Sequence, residues 1–107
     1  MTFYLKRNDT SPSLLRQLLD GAGAPIPLSG CTVVFNMWDE SDQVIVSRRA
    51  CTVTDAPNGW VRHDWLPADT ISQGTFRGEF EITFASGAVE TVPNASYIEI
   101  LITRDIA

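Results

Sequence analysis

The stretch "TFRGEFEITF", Thr75 to Phe84, constrains the fold more than any other part of the chain. Phe76, Gly78, Phe80, Ile82 and Phe84 alternate with Arg77, Glu79, Glu81 and Thr83. A helix would scatter the aromatic rings around its surface, whereas a strand puts them all on one side. The period of two predicts a strand with one dry face and one wet face. Ala85-Ser86-Gly87-Ala88 supplies turn chemistry, and the run through Val92 resumes the alternation. An antiparallel hairpin follows, with Pro93-Asn94 ending its second strand.

The same rule recurs elsewhere. Ile98, Ile100 and Ile102 alternate with Glu99, Leu101 and Thr103 near the end of the chain. Cys31, Val33, Phe35 and Met37 alternate with Thr32, Val34, Asn36 and Trp38, and both sets are mostly apolar, which predicts a central strand. "QVIVSRRACTV" and "GWVRHDWL" have the β-branched and aromatic content of strands, with Asn58-Gly59 as the turn between them. Leu14, Leu15, Leu18 and Leu19 fall at helical spacing, but Pro12 and Asp20-Gly21 leave too few residues for a stable helix. That segment reads as a strand. Turn clusters at "GAGAPIPLSG", "ESDQ", "DAPNG" and "LPADTISQG" separate about seven short strands, the pattern of one all-β domain over residues 1–107 built as a two-sheet sandwich.

The chain has 107 residues, 44% hydrophobic and 20% charged, enough for one core. Its net charge of -5, with Lys6-Arg7 and Arg48-Arg49 as the longest cationic runs, argues against a nucleic-acid partner. No run approaches the ~18 apolar residues of a membrane-spanning helix, so no membrane partner is expected. The amino end lacks the pattern of a secretory signal, and synthesis in a bacterial cytoplasm is the expectation. In that reducing setting Cys31 and Cys51 read as buried thiols rather than a disulfide.

Candidates for chemistry are few. His63 is the single histidine, and its sequence neighbour Asp64 falls on the opposite face of any strand, so the two do not form a catalytic pair. Glu79 and Glu81 share a face roughly 7 Å apart by strand rise, a spacing that superficially suits glycoside chemistry. With Arg77 beside them they read better as a solvated charge ladder. "WDESD", Trp38 to Asp42, concentrates three acids but lacks the ligand order of a calcium loop. The sequence holds no phosphate cradle, nucleophile elbow or Cys-x-x-Cys. Trp38, Trp60 and Trp65 fit a core or an interface, with a sugar-stacking platform as the alternative. The expectation is therefore a protein that is not an enzyme, with no cofactor, no metal and no small-molecule substrate.

Several loosely spaced motifs occur in a characteristic order. Asp20 and a glycine loop lead to Pro27-Leu28-x-Gly30, then to Val33 or Val34 and Phe35-x-Met37. Lys6-Arg7-Asn8-Asp9-Thr10 precedes them, and Gly74-x-Phe76-x-x-Glu79-Phe80-Glu81 and Gly87-x-x-Glu90-Thr91-x-Pro93-Asn94 follow, running into Ile98-x-Ile100. Together they span nearly the whole chain, which resembles the amino-terminal domain of the phage baseplate upper protein family. The resemblance implies an immunoglobulin-like antiparallel β-sandwich acting as a structural part of a tailed-phage virion, a docking or accessory subunit of the tail or baseplate. Its implied partners are other virion proteins and copies of itself, and its implied location is the virion. Family members carry further segments that grip receptor-binding proteins, and this chain stops at Ala107. Capsid decoration and a carbohydrate-binding module contacting host polysaccharide are the alternatives.

On this view "LKRNDTSPSL" is a joint. Thr2 to Lys6 forms an edge strand, Asn8, Asp9 and Ser11 bond locally to shape turns, and Pro12 stops the strand. An edge exposes backbone groups that a neighbour can pair with. The candidate partner-binding residues are Phe3, Tyr4, Lys6, Arg7, Asn8 and Asp9, with Lys6 and Arg7 meeting acidic surface. An ordinary sandwich edge that contacts nothing is the alternative.

Overall fold

The computed structural model describes residues 2–94 and 96–104. Nine strands follow in order: β1 (Thr2–Lys6), β2 (Leu14–Gln17), β3 (Thr32–Asp39), β4 (Val44–Ala50), β5 (Thr52–Asp55), β6 (Trp60–His63), β7 (Gly74–Thr83), β8 (Val89–Val92) and β9 (Ile98–Thr103). Short 3-10 turns at Ala56–Asn58 and Pro67–Thr70 interrupt them. The all-β sandwich stands, with nine strands in place of about seven. The increase comes from β4 and β5, which one extended sequence run hides; β1 is the edge strand expected.

β7 is the spine, and the alternation predicted for it is the alternation observed: Phe76, Gly78, Phe80 and Ile82 are buried while the residues between them are half-exposed. One side of β7 pairs along its length with β3. The other side is shared, Gly74 to Gly78 pairing with β9 and Phe80 to Thr83 with β8, so the predicted hairpin is present. The larger sheet runs β1-β9-β7-β3-β4 with β8 alongside β7, and the smaller runs β2-β6-β5. β1 joins β9 in parallel; every other strand pair is antiparallel. β3 is an interior strand as expected, paired with β7 on one side and with β4 on the other. Both of its faces are apolar because Trp38 and Val34 are covered in part on the solvent side.

The core lies between the sheets. Leu5, Val33, Phe35, Met37, Phe80, Ile82, Ile98, Ile100 and Ile102 enter from the larger sheet, and Leu14, Leu18, Val61 and Trp65 from the other side. Ile26 and Leu28 close one end from the loop that follows β2. This loop is more than a turn cluster, since Ile26 N–H donates to Leu18 O and Leu28 N–H donates to Ala56 O. Gly59 makes that closure possible: it sits at φ 75°, and a Cβ there would stand 2.8 Å from Leu18 O and 2.9 Å from Ile26 O.

Gly78 is required for a different reason. A Cβ at this position would lie 2.8 Å from both Ile100 Cδ1 and Phe35 Cζ, two atoms fixed in the core. Gly78→Ala should lower stability by about 1–3 kcal/mol through overpacking. Urea unfolding should show a lower midpoint at unchanged slope.

Candidate functional site

β1 forms where it was expected. Arg7 N–H donates to Thr103 O at 2.8 Å, continuing the parallel ladder, and Asp9 N–H returns to Lys6 O at 3.1 Å to close a turn. Asn8 occupies the left-handed region at φ 72°, which its short polar side chain tolerates. The turn is tied down by Thr70: Asn8 N–H donates to Thr70 O at 2.8 Å, and the Thr70 hydroxyl donates to Asp9 O at 2.9 Å. "LKRNDTSPSL" is thus a joint by geometry.

The six candidate contact residues lie together but face different ways. Phe3 packs against the core and stacks on Trp65 at 6.0 Å between ring centroids. The backbones of Asn8 and Asp9 are engaged by the joint. Tyr4, 64% exposed, and the exposed Lys6 and Arg7 remain free to meet a partner.

The charged outer face of the larger sheet is internally engaged. Arg77 lies 5.7 Å from the Trp38 ring and 5.5 Å from the Tyr97 ring, and it donates to Asp42 and to Asp39 O. Arg48 pairs with Glu81 at 2.6 Å. Burial, reinforced by Glu81, pushes the Glu79 carboxyl above its usual range. The acidic loop after β3 uses its first carboxylate on itself. Asp39 Oδ1 accepts from the Ser41 hydroxyl and from the N–H groups of Ser41 and Gln43, and these bonds hold Asp39 below the ordinary carboxylate range. Among the described residues, no three His, Cys, Asp or Glu side chains converge as a metal site would require.

The cluster that sequence reasoning missed is buried. His63 follows from the strand parity of β6, which sends it inward opposite Leu14 while Asp64 stays outside with Ser13 and Arg62. Inside, the imidazole stacks on Phe35 at 4.3 Å and meets Trp65 edge-on at 4.5 Å. Its Nε2 faces Asp69 Oδ2 across 4.0 Å. Asp69 accepts two bonds from Arg49, at 2.9 and 3.1 Å, and one from Leu66 N–H at 2.8 Å. No spacing rule links His63 to Asp69 and Arg49; the 3-10 turn at Pro67–Thr70 brings them together. A His-Asp pair of this kind resembles part of a catalytic triad, but His63 is 0% and Asp69 3% exposed, so no substrate reaches it. Burial, with Arg49 adding to it, drives the imidazole pKa down to about 4 against the opposing pull of Asp69 and Asp64.

Surface concavities are shallow. Grooves of about 320 Å³ lie along β2, one lined by Thr2, Phe3, Leu15 and Trp60 and the other by Leu19, Asp20, Val92 and Ile98. A third of about 380 Å³ lies beside the acidic loop, lined by Glu40, Gln43, Ile45 and Phe76. Trp65 is in the core, and Trp38 and Trp60 are half-buried. Cys31 and Cys51 are both free, and burial pushes the Cys51 thiol up to about 12, leaving it inert.

No family model matches the chain, and no curated protein matches its sequence. Among solved structures the chain is similar to CopC from Methylosinus trichosporium OB3b, with TM-score 0.53 and 9% identity over 99% of this chain and 87% of that one. The likeness speaks to the fold. The expected function is corrected on this finding: the structural neighbour is CopC, a copper-binding protein, and not a phage baseplate, tail or capsid subunit. The virion role and the sugar-binding alternative are accordingly withdrawn. The motifs that carried the resemblance are turn residues and strand alternation, which any sandwich of this shape needs.

Among the described residues the donors do not fit copper. Imidazole, thiolate and thioether are the ligands it favours, but His63 and Met37 are sealed in the core, and the sulfurs of Cys31 and Cys51 are directed at the carbonyls of Ser29 and Arg49.

The buried imidazole has a measurable consequence. Unfolded, His63 takes up a proton near its ordinary value of 6.5; folded, near 4. Between these values the unfolded chain holds more protons, so stability rises with pH. The contribution is complete above about 6.5 and is lost as pH falls toward 4, amounting to about 3 kcal/mol. Denaturation across this window should show the decline, and His63→Leu should flatten it.

Proposed function

We propose that this chain is a non-enzymatic binding module whose partner is a second copy of itself, docked through the free edge of β1. One observation carries the reading: β1 keeps an unbroken five-residue register with β9, and among the described residues its other side has no ladder partner. Arg7 N–H faces Thr103, so by strict alternation Phe3 and Leu5 also turn their backbone groups toward β9. Thr2, Tyr4 and Lys6 turn theirs outward.

The remaining edges are blunted by devices that sheets use against pairing. β4 is broken by register shifts, and Arg48 sits at φ 48° with its N–H donating to the Asn36 side chain. β2 places Arg16 on its inward-facing parity, opposite the core residue Val61. β5 shifts register between Val53 and Asp55, and β8 has four residues. The non-enzymatic part of the reading is supported by the sealing of His63 and Asp69 and by the internal pairing of the outer charges.

Sedimentation of the purified protein should show monomer and dimer in concentration-dependent exchange. Tyr4→Pro removes an N–H that the internal ladder does not use, a substitution edge strands tolerate. It should abolish the dimer while leaving the melting temperature nearly unchanged. A chain that stays monomeric at every concentration, or a dimer indifferent to Tyr4→Pro, overturns the reading.

A further inference from the structure

Resting on the reading of β1 as a homotypic edge, we infer that two copies join antiparallel about a two-fold axis at Tyr4, with Lys6 of each copy reaching Glu99 of the other. The register follows from which backbone groups face outward; among them the Lys6 carbonyl already accepts from Asp9 N–H and would take the partner's donor on its second lone pair. In antiparallel pairs, residues that exchange both hydrogen bonds alternate with residues that exchange none. The outward-facing Thr2, Tyr4 and Lys6 must therefore oppose one another.

Five centres satisfy this condition; Thr2 and Lys6 leave a single bonded pair each, and the other three, Phe3, Tyr4 and Leu5, differ in overlap and charge. Centring on Tyr4 pairs Thr2 with Lys6, Tyr4 with Tyr4 and Lys6 with Thr2, which uses the whole strand. Centring on Phe3 leaves Lys6 beyond the partner strand. Centring on Leu5 sets Lys6 opposite Tyr4, whose neighbour on β9 is the uncharged Leu101. With Tyr4 on the axis, Lys6 lands beside Thr2, and the neighbour of Thr2 on β9 is Glu99. The Thr2 hydroxyl donates to the Glu99 carboxylate and fixes it on the solvent face at the rim of the sheet.

Lys6 and Glu99 then sit two strand spacings apart, roughly 9.5 Å between Cα atoms, with only a threonine between them. That gap is within the combined reach of the two side chains. The contact occurs twice by symmetry, because a two-fold interface repeats every pairing. Tyr4, 64% exposed in the single chain, is covered by its own counterpart. The interface adds one strand pair to a continuous sheet and is small, so the dimer is weak and sensitive to salt.

Charge exchange tests the register. Lys6→Glu and Glu99→Lys should each weaken dimerisation by about tenfold or more, and the double variant should restore it to within a few-fold of the unsubstituted protein. A geometric test stands beside it. A residue pair exchanging both bonds has its Cα atoms about 5.5 Å apart, within disulfide range. Tyr4→Cys should therefore oxidise to a covalent dimer whose mapped bridge joins the two introduced thiols, and Phe3→Cys should not. Circular dichroism reports whether each variant is folded. A dimer unaffected by either charge reversal, a double variant as weak as the singles, or absence of the mapped bridge overturns the register but leaves homotypic docking intact. A protein that is monomeric without any substitution overturns both.

Discussion

The sandwich depends on Phe35. Its ring is contributed by the larger sheet, yet it stacks on His63 of the smaller one, packs tilted against Phe80 at 5.1 Å, and meets Trp65 edge-on at 5.9 Å. Aromatic contacts of this kind add roughly 0.5–1.5 kcal/mol each beyond area burial. Gly78 leaves room for the ring, and the ring in turn leaves His63 no route to water. One side chain thus joins the sheets, determines the composition of the central strand and keeps the imidazole neutral. The chemistry of the interior is a by-product of packing.

The same packing seals His63 and Asp69, in the constellation of histidine, aspartate and arginine, away from solvent. Catalytic groups need access as well as proximity, and the interior provides only proximity. Asp69 instead acts as a splice. It accepts from Arg49 on β4 and from Leu66 N–H at the start of the 3-10 turn, tying the β6–β7 connection to the larger sheet. The surface divides in a similar way. Arg77 is held by the acidic loop and Arg48 by Glu81, whereas β1 has an edge whose hydrogen-bonding groups face outward.

Period-two alternation made β7, β8 and β9 legible, because one buried face per strand writes itself directly into the order of residues. β1 and its following joint were equally legible, since Asn8 and Pro12 punctuate the chain whatever surrounds them. The loops were not. Ile26 and Leu28 sit among glycines and prolines and look like turn residues, yet they close the core because Gly59 admits the backbone of that loop. The His63 and Asp69 encounter was also illegible, because it depends on how the 3-10 turn at Pro67–Thr70 folds back over the end of β6, which no spacing rule encodes. Function was misread for a related reason: the features shared with a phage family were those of sandwich construction, which carries no information about use.

The turn joining β7 to β8 is held by Phe84 N–H donating to Ala88 O and Gly87 N–H donating to Phe84 O, and a Cβ on Gly87 would have no heavy atom within 4 Å. Its backbone is closed by its own bonds, and its tip borders only solvent. Foreign peptide spliced between Ser86 and Gly87 would lengthen the loop at small entropic cost, which makes this tip a handle for labels or displayed epitopes on a scaffold that is otherwise filled.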